Sequence, residues 1–176
     1  MTALDRHDDA QAHRWVCFEN RLSVDHLRAF LKGLPDFEDV EAEDRARTYA
    51  LTYPDILRAL HFCLKWSDLF TAAQLVKTRA DELDGNHYEL LTRAAEALRE
   101  RHPLAATLLW RAMIDVALVE DRASRYWHAA SHLNDCYAVA PKVDTFDAFP
   151  SHDRYVDELR VRHERKSSFW AKFDAY

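Results

Sequence analysis

Two histidines and a cysteine recur at four-residue spacing in the C-terminal third of the chain, at His128, His132 and Cys136. Side chains four residues apart on an α-helix lie one turn apart on nearly the same face, and imidazole and thiolate groups are zinc ligands. The outer two positions are about 12 Å apart, so a shared ion needs a ligand from another element. His152 and His163 are the available donors, and these five residues either meet at a metal or simply pack.

A second set of residues has the chemistry of nucleic-acid binding. Basic and aromatic side chains are interleaved in two segments, 122–127 and 160–170. Basic groups neutralise phosphates, and aromatic rings stack on bases. A net charge of −6 and the nearby Glu158 and Glu164 count against a dedicated binder. Arginines at helix ends also join neighbouring helices through charge-assisted hydrogen bonds, which is the alternative explanation.

Glycine is scarce, and this excludes several kinds of catalytic site. The chain has 2 glycines, whereas average usage predicts about twelve. A phosphate-binding loop, a dinucleotide fingerprint and a nucleophile elbow each need glycine where the backbone turns sharply. No HExxH motif is present either. The sequence therefore predicts no catalytic residues and no cofactor, and it favours a non-enzymatic protein.

The elements that must position these residues are helices. Apolar residues follow a helical period almost throughout, and the scarcity of glycine disfavours turn-rich β folds. Pairs of alanines recur 33 positions apart at residues 72–73 and 105–106, close to the period of about 34 residues of tetratricopeptide repeats. We predict an all-α fold of stacked antiparallel helical hairpins, a tetratricopeptide-like right-handed array of about nine helices. A compact irregular helical bundle is the alternative.

Capping residues and prolines predict where individual helices begin. The predicted N-caps are Ser23, Ser67 and Ser151, since a serine oxygen accepts from free N–H groups of the first turn. Pro54 and Pro103 fit the first helical position, where the missing N–H has no intrahelical partner. Gly33 and Gly85 lie at predicted helix ends, and one last helix is expected from Ser151 through Trp170.

Length and composition predict one domain in a reducing compartment. We expect residues 1–176 to form a single domain, with residues 1–7 flexible. The three cysteines form no CxxC pattern, which is typical of reduced thiols. The polar N-terminus does not resemble a signal peptide, and no apolar run is long enough to span a membrane. The expected location is the cytoplasm, with no membrane association.

Several segments resemble a bacterial family of unknown function. The most specific are RASRYWHAASHL at 122–133 and PSHDRY at 150–155, followed by HERK at 163–166 and FW at 169–170. The resemblance extends from about Trp15 to Trp170. The ending is also similar to the C-terminal helical part of SWIM zinc-finger proteins, although the finger's own cysteine and histidine spacing is absent. The resemblance implies no activity, ligand or catalytic residue.

The polar positions of this resemblance fall on the eighth and last predicted helices. They predict one polar interaction surface, made of Arg122, Arg125, Tyr126, His128, His132, His152, His163, Arg165 and Lys166. We interpret the protein as an interaction scaffold that binds another protein or itself through a groove beside these helices. One alternative is a nucleic-acid-associated accessory protein that uses the C-terminal basic and aromatic patch. The other is a histidine-based metal-binding protein or enzyme.

Overall fold

The computed structural model describes residues 3–175, with side chains from residue 8 onward. Ten α-helices and three short 3-10 turns make up the regular structure of these residues, which contain no β-strand. The predicted all-α class is confirmed. Residues 1–7 were predicted to be flexible. Residues 1–2 lie outside the described residues, and the backbone of residues 3–7 belongs to the first helix.

The ten helices have an average length typical of globular proteins. Their bounds are α1 Ala3–Arg21, α2 Val24–Leu31, α3 Glu38–Thr52, α4 Ile56–Lys65, α5 Leu69–Thr78, α6 Tyr88–Leu98, α7 Pro103–Val119, α8 Tyr126–Val139, α9 His152–Arg162 and α10 Ser167–Phe173. The 3-10 turns are Ala80–Glu82, Ala123–Arg125 and Ala140–Lys142.

The chain divides into two compact units, residues 1–75 and 76–176. In the first unit, α1 packs on α2, α2 on α3 and α3 on α4. Its centre is aromatic: the ring of Phe18 lies 5.5 Å from that of Phe62 and 6.1 Å from that of Tyr49, both tilted. Tilted aromatic pairs of this kind add about 0.5–1.5 kcal/mol beyond the apolar area that they bury.

The second unit is built around α7. This helix packs between α6 and α8, and α10 packs on the other side of α8. Trp110, Ile114 and Leu118 of α7 are fully buried. A helix that is apolar on nearly every side is typical of a central position with neighbours on several faces. The second unit carries all the residues of the predicted interaction surface.

Local signals located most helix starts, with two corrections. Ser23 and Ser151 are confirmed as N-caps, and Pro103 as the first residue of α7. The predictions for Pro54 and Ser67 are wrong, because an aspartate follows each of them and takes the capping role. The carboxylate of Asp55 accepts from the N–H of Arg58 at 3.0 Å, and that of Asp68 accepts from the N–H of Thr71 at 3.0 Å.

Both glycines are explained by close approach of other atoms. Neither has a positive φ, so neither ends its helix in the left-handed conformation that favours glycine. Gly33 was predicted at a helix end, and α2 ends just before it, with Lys32 as C-cap. A Cβ at Gly33 would lie 2.6 Å from the amide nitrogen of Gln11, and one at Gly85 would lie 2.1 Å from the carbonyl oxygen of Ala112. Gly85 therefore lets the chain pass directly against the backbone of α7.

The predicted last helix is two helices. The chain turns at residues 163–166, between α9 and α10. Tyr155 of α9 contacts α7 through its hydroxyl, 3.0 Å from Asp115. The ring of Phe169 in α10 packs edge-on against Tyr126 of α8, with centroids 5.9 Å apart. No glycine or proline marks the turn, so the pattern of apolar residues alone predicted one continuous helix.

The finer architectural predictions remain predictions. The helical arrangement agrees with both a tetratricopeptide-like array and an irregular bundle, and the single-domain prediction likewise stays open. Within residues 3–175, no helix combines the length and the apolar character needed to cross a bilayer.

Candidate functional site

An open cleft of about 540 Å³ lies at the turn between α9 and α10, beside the start of α8. We call it the C-terminal cleft. Four residues of the predicted interaction surface line it: Tyr126, His163, Arg165 and Lys166. Asp121, Val161, Arg162 and Glu164 also contribute to its lining. Segments far apart in sequence therefore bring these side chains together.

Asp121 organises one wall of the C-terminal cleft. Its Oδ1 accepts from the hydroxyl of Tyr126 and from the ammonium group of Lys166, each at 2.6 Å. These two hydrogen bonds, that of Lys166 first, lower the pKa of the Asp121 carboxyl below its ordinary value. The same carboxylate oxygen of Asp121 bonds Tyr126, the first residue of α8, and Lys166. The start of α8 therefore helps to position the Lys166 side chain.

The opposite side of the cleft is basic and partly apolar. Arg165 is exposed, and a guanidinium nitrogen of Arg162 lies 3.9 Å from Asp115, at the limit of an ion pair. Val161 is 79% exposed. Burial, followed by the charges of Arg162 and Lys166, lowers the pKa of His163. The cleft thus presents three cations, the two carboxylates of Asp121 and Glu164, a neutral imidazole and an exposed aliphatic side chain.

Three other predicted residues gather around Tyr88 of α6. Its hydroxyl is hydrogen-bonded to Nδ1 of His128 at 3.1 Å, and its ring centroid lies 5.6 Å from that of His132. The guanidinium of Arg125 lies over the same ring at 6.0 Å. His128 is exposed, whereas His132 is buried. Neither ring nitrogen of His132 has a hydrogen-bond partner among the described residues, and its Nδ1 lies 3.7 Å from a carboxylate oxygen of Asp135. This cluster is separate from the lining of the C-terminal cleft.

The five candidate metal ligands are distributed over the second unit. His152 begins α9 and His163 follows its end, so about 16 Å of helix separates them. Burial raises the pKa of the Cys136 thiol to about 12, which disfavours the thiolate that binds zinc. Among the described side chains, no three His, Cys, Asp or Glu residues are grouped as metal ligands.

The remaining predicted residues lie outside the C-terminal cleft. Arg122 forms an ion pair with Glu120. His152 lines a second groove, described below, where its ring centroid is 5.6 Å from that of Tyr137.

Sequence analysis missed Arg111, the most deeply buried cation of the described chain. It is 4% exposed and lies in the middle of α7. Its Nη1 donates to the carbonyl of Pro150 at 2.8 Å. The signal was available, because Arg111 and Asp115 are the only charged residues in the apolar stretch 103–119. A charge in such a stretch must find partners from other elements or carry a desolvation cost.

Three histidines, one buried and two half-buried, indicate that the protein loses stability in mild acid. Burial lowers the pKa of His102, His152 and His163 from 6.5. The unfolded chain then binds more protons, so stability is full above about pH 6.5 and falls as the pH drops towards the lowered values. We expect the melting temperature to fall between about pH 8 and about pH 5, and to fall less in His152→Gln.

His128→Gln is the matched control for that measurement, since its ring is exposed on the neighbouring helix. Thermal melts across the pH range check the prediction. An unchanged pH profile in His152→Gln would contradict it.

Comparison with known proteins gives a family but no activity. A family model described as a family of unknown function (DUF6880) matches residues 1–172. No curated protein and no solved structure matches the chain.

Proposed function

We propose that this chain, which belongs to the family of unknown function just described, is a protein-interaction module whose C-terminal cleft binds an acidic segment of a partner. The observation that carries the proposal is the lining of this cleft. Arg162, Arg165 and Lys166 meet there beside the exposed Val161. Basic groups around an apolar contact complement a segment that carries carboxylates and one apolar side chain.

The contacts of the cleft support a preformed site. Lys166 and Tyr126 are held by Asp121 on one wall, as described above. The indole N–H of Trp170 donates to the carbonyl of His163 at 2.9 Å, which fixes the turn that carries Arg165. A site whose backbone is already ordered loses less conformational entropy when a partner binds.

Burial of the aromatic rings favours a protein partner over nucleic acid. Tyr126 and Trp170 belong to the predicted basic and aromatic patch, but both are buried. The guanidinium of Arg160 also lies 4.4 Å from the ring centroid of Trp170. Trp127, another aromatic residue of that patch, is 56% exposed. Single-strand binders present several such rings to successive bases.

Three further properties that the sequence suggested remain proposals. They are the bacterial origin of the family, the cytoplasmic location, and the likeness of the C-terminal helices to the helical part of SWIM zinc-finger proteins. The interaction argument depends on none of them.

A photocrosslinking amino acid placed at two exposed valines tests the proposal. Val161 lines the C-terminal cleft, and Val119, 68% exposed at the end of α7, does not. In cells we expect a defined protein adduct from position 161 and none from position 119. Equal labelling at both positions would contradict a specific site.

Charge reversal then measures the role of the cations. Arg162→Glu combined with Arg165→Glu is expected to weaken binding of the identified partner at least about tenfold. Arg93→Glu is the matched control, because Arg93 is an exposed arginine of α6 outside the cleft. Binding is measured by calorimetry at two salt concentrations, with an oligonucleotide as a second probe. Salt-sensitive oligonucleotide binding that is lost in the double variant would favour the nucleic-acid alternative instead.

A further inference from the structure

One side of the buried Arg111 guanidinium makes no hydrogen bond to the described residues of the second unit. Nη1 is bonded to Pro150, but Nε and Nη2 are buried and have no hydrogen-bond partner among the described residues. Nε and Nη2 form the side of a guanidinium that binds a carboxylate through two parallel hydrogen bonds. Asp115, one turn further along α7, is engaged instead by the hydroxyl of Tyr155 at 3.0 Å and by Arg162 at 3.9 Å.

Aromatic rings compensate for this buried charge only in part. The guanidinium carbon of Arg111 lies 4.3 Å from the ring centroid of Tyr155 and 5.6 Å from that of Phe146. Such contacts offset only a small part of the desolvation cost of an unpaired buried ion. Burial lowers the pKa of Arg111 for the same reason. An anion that accepts hydrogen bonds from Nε and Nη2 would remove most of this desolvation cost.

Phe146, whose ring centroid lies 5.6 Å from the guanidinium carbon of Arg111, also lines a groove. We call it the Tyr137 groove: it encloses about 350 Å³ and is lined by Tyr137, Pro141, Phe146 and His152, among others. Pockets of this size hold small organic ligands. Phe146 connects the groove with Arg111, because its side chain lines the groove and its ring contacts the guanidinium.

His152 supplies a second unused polar atom at the same place. It is 7% exposed, lines the groove, and its Nδ1 has no hydrogen-bond partner in the part of the chain that the structure describes. Asp153, by contrast, lies at the exposed rim. The exposed Asp153 therefore disfavours an anion at the rim, whereas His152, which has the unpaired Nδ1, is buried.

We propose that the Tyr137 groove binds a small organic carboxylate whose apolar body lies on Tyr137 and Pro141. Its carboxylate accepts from Nε and Nη2 of Arg111 and from the imidazole of His152. Entry requires the Phe146 side chain to move aside. The loop that carries it, residues 143–149, exposes Asp144, Thr145, Asp147 and Ala148 to solvent. This site shares no lining residue with the C-terminal cleft, so the two proposals stand separately.

Phenylacetate and phenylacetamide are the matched probes, because they have the same ring and differ in charge. We expect phenylacetate to raise the melting temperature and to shift the amide NMR signals of residues 146–153. Phenylacetamide is expected to do neither. Equal responses to both probes, or none to phenylacetate, would overturn the proposal.

Three variants test whether phenylacetate binds through Arg111. Arg111→Met keeps the length of the side chain and is expected to lower phenylacetate affinity at least about tenfold. Arg165→Met, at an exposed arginine outside the groove, is expected to leave it unchanged. Phe146→Ala uncovers Arg111 and should tighten binding, which provides a test even if Arg111→Met does not fold. Unaltered affinity in Arg111→Met, or weaker binding in Phe146→Ala, would contradict the site.

Discussion

Replacing Leu133 by alanine is expected to lower the free energy of unfolding by about 2–5 kcal/mol. Leu133 is fully buried in α8, the helix that packs against both α7 and α10. Removing its side chain loses the transfer free energy of the buried methyl groups. It also leaves a cavity that neighbours on two sides cannot fill. Urea unfolding followed by circular dichroism measures the change.

His128→Ala is the matched control on the same helix. His128 is exposed, and its described contact is the hydrogen bond to Tyr88 at 3.1 Å. The expected cost is below about 1 kcal/mol, since an exposed hydrogen bond contributes little and alanine is a better helix former. If the two variants were destabilised equally, the assignment of the buried face of α8 would be wrong.

Gly85→Ala is expected to destabilise the protein by about 1–3 kcal/mol or more. The new Cβ would lie 2.1 Å from the carbonyl oxygen of Ala112 and 3.0 Å from the Cα of Met113. Both atoms belong to the backbone of α7, and the side chains around them are close-packed. The loop must therefore move away as a whole, and its contacts with α7 are lost.

Gly33→Ala provides the contrast, because its neighbour is the end of a flexible side chain. The Cβ would meet the amide of Gln11, which can rotate away at the loss of its hydrogen bond to the carbonyl of Phe30. That loss costs about 0.5–1.5 kcal/mol. Alanine also lowers the conformational entropy of the unfolded chain, which raises the free energy of unfolding by about 0.4–1 kcal/mol. We expect a net change near zero, and a large loss in this variant would contradict the steric explanation.

Local signals predicted much of the fold. The serine caps at Ser23 and Ser151 and the proline at Pro103 act on N–H groups within the same turn, so the residues beside them suffice to interpret them. The errors at Pro54 and Ser67 are local too. In each case a stronger acceptor stands one position later, at Asp55 or Asp68. A rule that compares neighbouring cap candidates would have found both.

The candidate sites were only partly predictable. Tyr126 and Lys166 were expected to share a polar surface, and both line the C-terminal cleft. His128 and His132 have the same residue type and lie one turn apart. Yet one is exposed and the other buried, although the ring of Tyr88 in α6 contacts both. The charge of Arg111 within an apolar stretch was a visible signal, but its partner Pro150 was not predictable because it is 39 residues away.

The amino-acid sequence by itself determined that the described chain is helical and where most helices begin, because periodicity, caps and the scarcity of glycine act over a few neighbouring residues. Only the tertiary structure decided which polar side chains meet. Asp121 joins Lys166 across 45 positions, and Tyr155 reaches Asp115 across 40. The position of Lys166 depends on the turn between α9 and α10 at residues 163–166, which contains neither glycine nor proline and is followed by the buried Phe169 and Trp170. The sequence close to the turn therefore did not predict it.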